Sequence, residues 1–201
     1  LGINSKITVE FTNRRGQKFT IEKHEKLDNG YEIVSLDRNI AFHPDIGIQP
    51  VELCSELEKV GIPWCTPNGV KVNYHESSQL EMFKAMVDSG CYQLTLACET
   101  GVQSVMDRII KKRLKIDSIY PAIANAKKAG MLVHTFWVLG FPGETYKEIQ
   151  ETVDFAMRSG ADSFSFAILS PLPGTPIYKN VVRNNLFWEG TSIDDLLYRT
   201  S

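Results

Sequence analysis

Glu99 is the residue of this 201-residue chain whose position most invites chemistry. It follows directly on the apolar run Leu94-Thr-Leu-Ala-Cys98, and a carboxylate at the end of a buried strand must find a partner or shift its pKa. Hydroxyls of a nucleoside would serve, with Gly101 beside it permitting close approach. So would an N-cap-like interaction with the amides of a helix beginning near Val102. A second candidate is the turn Gly140-Phe141-Pro142-Gly143-Glu144, which follows the apolar stretch from Val133 to Leu139. Glycines at a strand end let backbone amides approach a ligand, and a helix N-terminus aimed there favours polar or anionic groups. An ordinary strand-to-helix turn has the same composition. Asp37 and Asn39, Thr66 and Asn68, and Ser170 to Thr175 also stand just beyond apolar runs. His134 lies inside its run, and either reaches a substrate or is a satisfied core histidine. Lys111, Lys112 and Arg113 form a basic connector that is solvated or neutralises a ligand carboxylate, and Trp64 reads as core.

The elements that would hold these residues follow a repeating grammar from Tyr31 onward. Apolar strands are expected at Tyr31 to Leu36, Ile62 to Cys65, Tyr92 to Cys98, Val133 to Leu139 and Ser163 to Leu169. Between them, apolar residues recur at helical spacing, as at Leu80, Phe83, Met86 and Val87, where Ser77 or Ser78 would be the cap. Four of these helices end in a glycine (Gly61, Gly90, Gly130, Gly160) that an apolar strand follows at once, the asymmetry of β/α units. The pattern predicts an α/β fold with right-handed crossovers and a parallel sheet. Ligands then bind at the carboxyl ends of the strands, where Asp37, Asn39, Thr66, Asn68, Glu99, the Gly140 to Glu144 turn and Ser170 to Thr175 fall. About five βα units are visible, too few for a complete eight-stranded barrel. Residues 1–30 read differently: Ile7 to Phe11 and Lys18 to Glu22 alternate like a hairpin. The expected division is 1–30, a hairpin-like segment; 31–187, the β/α partial barrel; and 188–201, a tail.

Composition excludes several classes. A hydrophobic fraction of 43% with 23% charged residues is that of a globular protein. A formal charge of −2 supplies no net basic field to hold nucleic acid or an anionic membrane, and no apolar run is long enough to span a bilayer. Cys54, Cys65, Cys91 and Cys98 are scattered among apolar neighbours without a C-x-x-C pair. Buried thiols in a reducing cytoplasm are expected, with no self-contained metal site.

Glu99-Thr-Gly101, Gly140-Phe-Pro-Gly-Glu-Thr145 and Pro171-Leu-Pro-Gly-Thr-Pro176, each after an apolar strand, resemble the radical S-adenosylmethionine superfamily. Thr66-Pro-Asn-Gly-Val70, Ser89-Gly-Cys-Tyr-Gln-Leu-Thr95 and Asp37-Arg-Asn39 are similar to its branch often fused to a cobalamin-binding domain. The resemblance covers roughly residues 31–187 and implies a partial (β/α)6 barrel. S-adenosylmethionine would lie across the strand ends, with Glu99 and Gly101 at its ribose and Gly140, Phe141, Pro142, Gly143 and Glu144 at its adenine. Asp37, Asn39, Asn68, His134 and Ser170 would face its methionine moiety or a small-molecule substrate. In the family a [4Fe–4S] cluster cleaves the cofactor to a 5′-deoxyadenosyl radical. The cluster's Cys-x3-Cys-x2-Cys motif is missing from this sequence. The expectation is therefore a C-terminal piece of a longer enzyme, inactive alone, whose cluster ligands and N-terminal part lie elsewhere and whose reaction is methyl transfer or cyclisation where cobalamin takes part. The alternative is a cluster-less binding or scaffold domain.

Overall fold

The structure is a computed structural model that describes residues 9–12, 18–21, 25–26, 32–33, 50–74, 78–187 and 189–190. The chain divides into two compact units, residues 1–64 with 77–92, and residues 65–76 with 93–201.

In the first unit, β1 (Val9–Thr12) pairs antiparallel with β2 (Lys18–Ile21), as alternation in that stretch implies. Strands β3 (Glu25–Lys26) and β4 (Glu32–Ile33) form a second antiparallel pair. The described part of the expected parallel strand Tyr31 to Leu36 is thus a hairpin partner. Helices α1 (Pro50–Val60) and α2 (Gln79–Asp88) pack on one another. They bury Leu53, Cys54 and Leu57 from the first and Met82, Phe83 and Met86 from the second. Ser78 stands at the N-cap of α2 but makes no side-chain capping bond. Trp64 is core-like, its indole N–H donating to Ser89 O at 3.0 Å.

The second unit is built on a parallel sheet. Strand β5 (Trp64–Cys65) and, after an interruption, β6 (Val70–Lys71) both run beside β7 (Cys91–Glu99). The order continues to β8 (Leu132–Leu139) and β9 (Ser163–Ile168). A short α3 (Gln103–Val105) runs into a π-helical turn at Met106–Ile110. Then come α4 (Ile119–Ala129), α5 (Tyr146–Arg158) after β8, and α6 (Pro176–Arg183) after β9. The parallel strands curl into part of a barrel, the α/β architecture the sequence pattern predicts.

Alternation along the strands sorts their two faces. Leu94, Leu96 and Cys98 of β7 and Val133, Thr135 and Trp137 of β8 are almost completely buried. So are Ile119, Ala122, Ile123 and Ala126 of α4 and Thr152, Phe155 and Ala156 of α5. Burying one such aliphatic or aromatic side chain contributes about 1.5–3 kcal/mol, so this apolar layer fixes the register. The other face carries Thr95, Ala97, His134, Phe136, Ser163 and Ser165 in matched rows. Gly130 illustrates the glycine stop: at φ 107° its N–H bonds to Lys127 O at 3.0 Å, a left-handed cap that only glycine adopts without steric cost. Among the described residues no helix is long and apolar enough to cross a membrane.

Candidate functional site

Strand β7 ends in a distortion that sets Glu99 apart from its neighbours. The β7–β8 register slips between Ala97 and Glu99, and Glu99 takes a left-handed φ of 67°. Such a conformation costs a non-glycine residue about 1–3 kcal/mol and persists only where the surroundings enforce it. Here the enforcement is a buried hydroxyl latch. The Thr152 hydroxyl on α5 lies 3.0 Å from that of Thr100 and accepts from Gly101 N at 3.1 Å. Thr100 N closes onto Cys98 O at 2.9 Å. Gly101 does allow a close approach, but of helix α5 rather than of a ligand. A Cβ on it would stand 2.5 Å from Phe155 Cβ.

The Glu99 carboxylate makes an ion pair with Lys112. The Glu99 side chain is 14% exposed and the Lys112 side chain 50%. Lys112 is held over it by two left-handed neighbours, Lys111 (φ 60°) and Arg113 (φ 53°), just beyond the π-helical turn. A pair this exposed contributes no more than about 1 kcal/mol, so a ligand can displace the lysine at small cost. The charge of Glu99, after burial itself, holds the Cys98 thiol well above its usual range. Cys98 is thereby an inert neighbour.

The turn after β8 is built differently from expectation. The Glu144 carboxylate folds back, and its Oε2 accepts from Gly140 N at 2.8 Å and Phe141 N at 3.1 Å. Those two amides are therefore engaged within the turn. Gly140 and Gly143 have φ of 83° and 89°, and Phe141 O accepts from Glu144 N at 2.8 Å. The Phe141 ring is buried against Val102 and Val105 rather than presented to a ligand. Pro142 is half-buried between them and the exposed Gly143. The other Glu144 oxygen, Oε1, is buried without a hydrogen-bond partner.

Helix α5 then opens with a capping box. Thr145 Oγ1 accepts from Glu148 N at 3.2 Å and Glu148 Oε2 accepts from Thr145 N at 2.8 Å. The helix start is satisfied by its own residues, a motif stabilising by about 0.5–2 kcal/mol. Arg108, from the π-helical turn, ties the assembly together. It donates to Gly143 O and to Glu148 Oε1, both at 2.9 Å.

Other expected site residues fare unevenly. Ser170 stands at the rim, two residues past β9 and half-buried. Asn68 does not. The chain resumes after it as β6, pairing Val70 with Leu96 and Lys71 with Ala97, so Asn68 lies in an interruption along one strand edge. His134 is not at the rim either. It sits five residues before the end of β8, roughly 17 Å away at about 3.3 Å per residue. Its Nδ1 is 2.8 Å from Ser163 Oγ and its Nε2 is 2.9 Å from Ser165 Oγ, which makes it the satisfied histidine of the two alternatives. Asp37 and Asn39 lie outside the described residues.

Two residues went unnoticed in the sequence. Arg108 gave no local signal, because its partners are 35 and 40 residues away. Asn73 follows only a two-residue strand, so no apolar run marked it as a strand end; its Oδ1 is buried without a partner. For metal binding the residues offer little. All four cysteines are free, three of them buried. Among the described residues no group of three or more His, Cys, Asp or Glu is placed to hold a metal ion. The set does not fit an iron–sulfur cluster, whereas a rim with a lightly paired carboxylate and two orphaned oxygens fits a donor-rich nucleoside.

Comparison with known proteins identifies the family. The chain is 33% identical over 154 residues to cytidylyl-2-hydroxyethylphosphonate methyltransferase of Streptomyces wedmorensis, covering 74% of this chain and 28% of that protein. It is 23% identical over 146 residues to bacteriochlorophyllide d C-12(1)-methyltransferase of Chlorobaculum tepidum, covering 73% and 30%. Its fold matches the radical S-adenosylmethionine methyltransferase TsrM of Kitasatospora setae, solved with cobalamin and a [4Fe-4S] cluster. There the TM-score is 0.57 at 14% identity, over 67% of this chain and 27% of that one. The chain thus spans under a third of the length of these relatives. Residues 20–156 match the family model described as the radical SAM superfamily, and the chain belongs to that superfamily.

Proposed function

We propose that this chain provides the adenosyl-binding rim of a radical S-adenosylmethionine methyltransferase. The observation that carries the reading is Glu99, a carboxylate held in a costly left-handed conformation at a strand end with an easily displaced lysine as its charge partner. The methyltransferase names of two relatives support the reaction type, and because the match spans only 28% and 30% of those relatives, the reaction would belong to a whole protein of their kind.

In this reading Glu99 accepts from the ribose hydroxyls, and the displaced Lys112 ammonium meets the carboxylate of the same ligand. The adenine lies against the turn from Gly140 to Glu144, where Glu144 Oε1 can accept from its exocyclic amine. Ser170 closes the rim on the β9 side and faces substrate. A [4Fe–4S] cluster, bound by residues other than those described, would supply the electron for cofactor cleavage, and cobalamin would serve as the methyl carrier. The compartment consistent with free, buried thiols is the cytoplasm.

The test is calorimetric titration of S-adenosylmethionine into the full-length protein and its Glu99→Ala variant. Binding by the parent and its loss in the variant is the expected result. A parent that does not bind, or a variant that binds equally well, overturns the reading. Release of 5′-deoxyadenosine and of a methylated product under reducing conditions would then establish the chemistry.

A further inference from the structure

The face of the sheet turned away from the helices has a chemistry of its own, set by register. Parallel pairing puts Lys71, Ala97, Phe136 and Ser165 level on β6, β7, β8 and β9, with their side chains on one face. One row further from the rim stand Thr95, His134 and Ser163. The opposite face buries Leu94, Leu96, Val133 and Trp137 almost completely. Here Ala97, His134, Phe136 and Ser165 are half-buried and Lys71 is exposed. Neither row contains Asp or Glu, and among the described residues Lys71 has no ion-pair partner. A lone cation on a polar face without carboxylates is a place for an anion from outside the chain.

His134 prepares the far end of the row. Its two ring nitrogens lie 2.8 Å from Ser163 Oγ and 2.9 Å from Ser165 Oγ. A neutral imidazole carries one N–H and one lone pair. One serine therefore donates to the ring, while the other accepts from it and keeps its own proton free. Between the lysine and Phe136 the neighbours are small: Gly69 lies so close over Ala97 that a Cβ on it would stand 2.5 Å from Ala97 Cβ. Three strand spacings of about 4.8 Å separate the ends of the row, a width that a lysine side chain, one oxyanion and two hydrogen bonds of about 2.8 Å fill. We propose that this face binds an oxyanion of the substrate (carboxylate, phosphate or phosphonate) between the Lys71 ammonium and the Ser165 hydroxyl, with Phe136 beneath the adjoining carbon atoms. His134 is a positioning residue, its Nε2–H donating to Ser165 Oγ and turning the serine proton toward the anion. The ligand is distinct from the adenosyl cofactor, whose carboxylate meets Lys112 in the reading above. That the oxyanion belongs to the methyl acceptor rests on the adenosyl reading; the oxyanion site itself does not.

The test is calorimetric titration of the full-length protein with probes that share a phenyl ring and differ in charge. Phenylphosphonate and phenylacetate are oxyanions, phenylacetamide is neutral and 2-phenylethylammonium is a cation. The parent is expected to bind the oxyanions about tenfold or more tightly than the amide, and the cation more weakly still. Lys71→Met, close in length and uncharged, should weaken phenylphosphonate about tenfold or more and bring it level with phenylacetamide. Lys71→Arg should keep the preference. Ser165→Ala and His134→Leu should each weaken phenylphosphonate by a factor of about 3–10, and the double variant no further than Ser165→Ala alone, a coupling that a merely structural histidine does not give. A parent that prefers the amide or the cation, or a Lys71→Met protein that binds phenylphosphonate as tightly as the parent, overturns the site. Additive losses at Ser165 and His134 overturn the positioning role. If the parent binds S-adenosylmethionine but neither oxyanion, this inference alone falls. If it binds phenylphosphonate but not S-adenosylmethionine, the adenosyl reading falls, and the assignment of the oxyanion to a methyl acceptor falls with it.

Discussion

Glu99 and Glu144 occupy the same kind of place and do opposite work. Each follows an apolar strand, each is close to glycine, and each belongs to a turn leading into a helix. Glu144 folds its carboxylate onto the amides of Gly140 and Phe141. Glu99 cannot serve its own turn in that way. Gly101 N is already bound by Thr152 Oγ1, Val102 N by Thr100 Oγ1, and Thr100 N by Cys98 O. With the local donors taken by hydroxyls and a carbonyl, its carboxylate is left for Lys112 and, in the proposed reading, for a ligand. Whether nearby amides lack an acceptor decides whether a rim carboxylate is scaffold or recognition element.

Removing each carboxylate is the direct way to break this comparison. Glu99→Ala loses two charge-assisted hydrogen bonds to a diol, and the affinity for S-adenosylmethionine should fall about 100-fold, measured by calorimetry. Its unfolding free energy should change by less than about 1 kcal/mol, because only an ion pair with a half-exposed lysine is lost. Glu144→Ala should show the reverse emphasis. Two amides lose their acceptor, and urea denaturation should register a loss of about 2–3 kcal/mol, with a smaller fall in affinity than in Glu99→Ala. Equal profiles for the two variants would erase the distinction.

How far the sequence could announce this site depends on the range of each signal. The strands and helices of the second unit were legible because apolar period and C-terminal glycines are local, and Gly130 and Gly160 stand where their helices end. The strand end after Thr66 was misplaced because Pro67 and Gly69 have the composition of a turn. What Gly69 meets is a neighbouring strand: a Cβ there would lie 2.5 Å from Ala97 Cβ, a close approach visible only in three dimensions. Phe141 and Gly101 looked like ligand-side residues because they flank the two strand-end glutamates, yet tertiary packing turns both inward. The place of Glu99 at the end of β7 was legible, since it stands straight after five residues of a buried strand. Its partner Lys112 was less so, because the distorted loop between them had no periodic signature.

The latch that frees Glu99 gives a finer test. Gly101→Ala forces a methyl group against Phe155 on α5, and the overpacking should cost about 1–3 kcal/mol in urea denaturation. Thr152→Val removes the hydroxyl that serves Thr100 and Gly101 and should cost about 1–2 kcal/mol, with Thr152→Ser restoring part of it. If the latch releases Glu99 for ligand, Thr152→Val should also weaken S-adenosylmethionine by a factor of about 3–10, while Gly101 N competes for the carboxylate. Loss of stability without loss of affinity would confine Thr152 to packing.

The smallest effect should come from Glu148, which belongs with Glu144 on the scaffold side of the comparison. Its carboxyl is held below the ordinary value of 4.5, first by the Thr145 backbone amide, then by the Thr145 hydroxyl, with Arg108 and Ser104 contributing less. Asp162 is likewise held below 3.8, by Lys127 first and the Val133 amide second. A depressed folded-state pKa means that the unfolded chain binds more protons, so stability rises with pH through this range. The contribution is complete above the ordinary carboxylate value and disappears as pH falls through the lower folded value. Unfolding temperatures measured from pH 6 downward should therefore drop below about pH 4.5, and less steeply in Glu148→Gln and Asp162→Asn. Because Glu148 caps α5 and bonds Thr145, Arg108 and Ser104 rather than Glu99 or Lys112, Glu148→Gln should leave S-adenosylmethionine affinity at neutral pH within about twofold of the parent. A larger loss would mean that the α5 cap and the rim carboxylate act as one unit, and the division between scaffold and recognition would have to be drawn elsewhere.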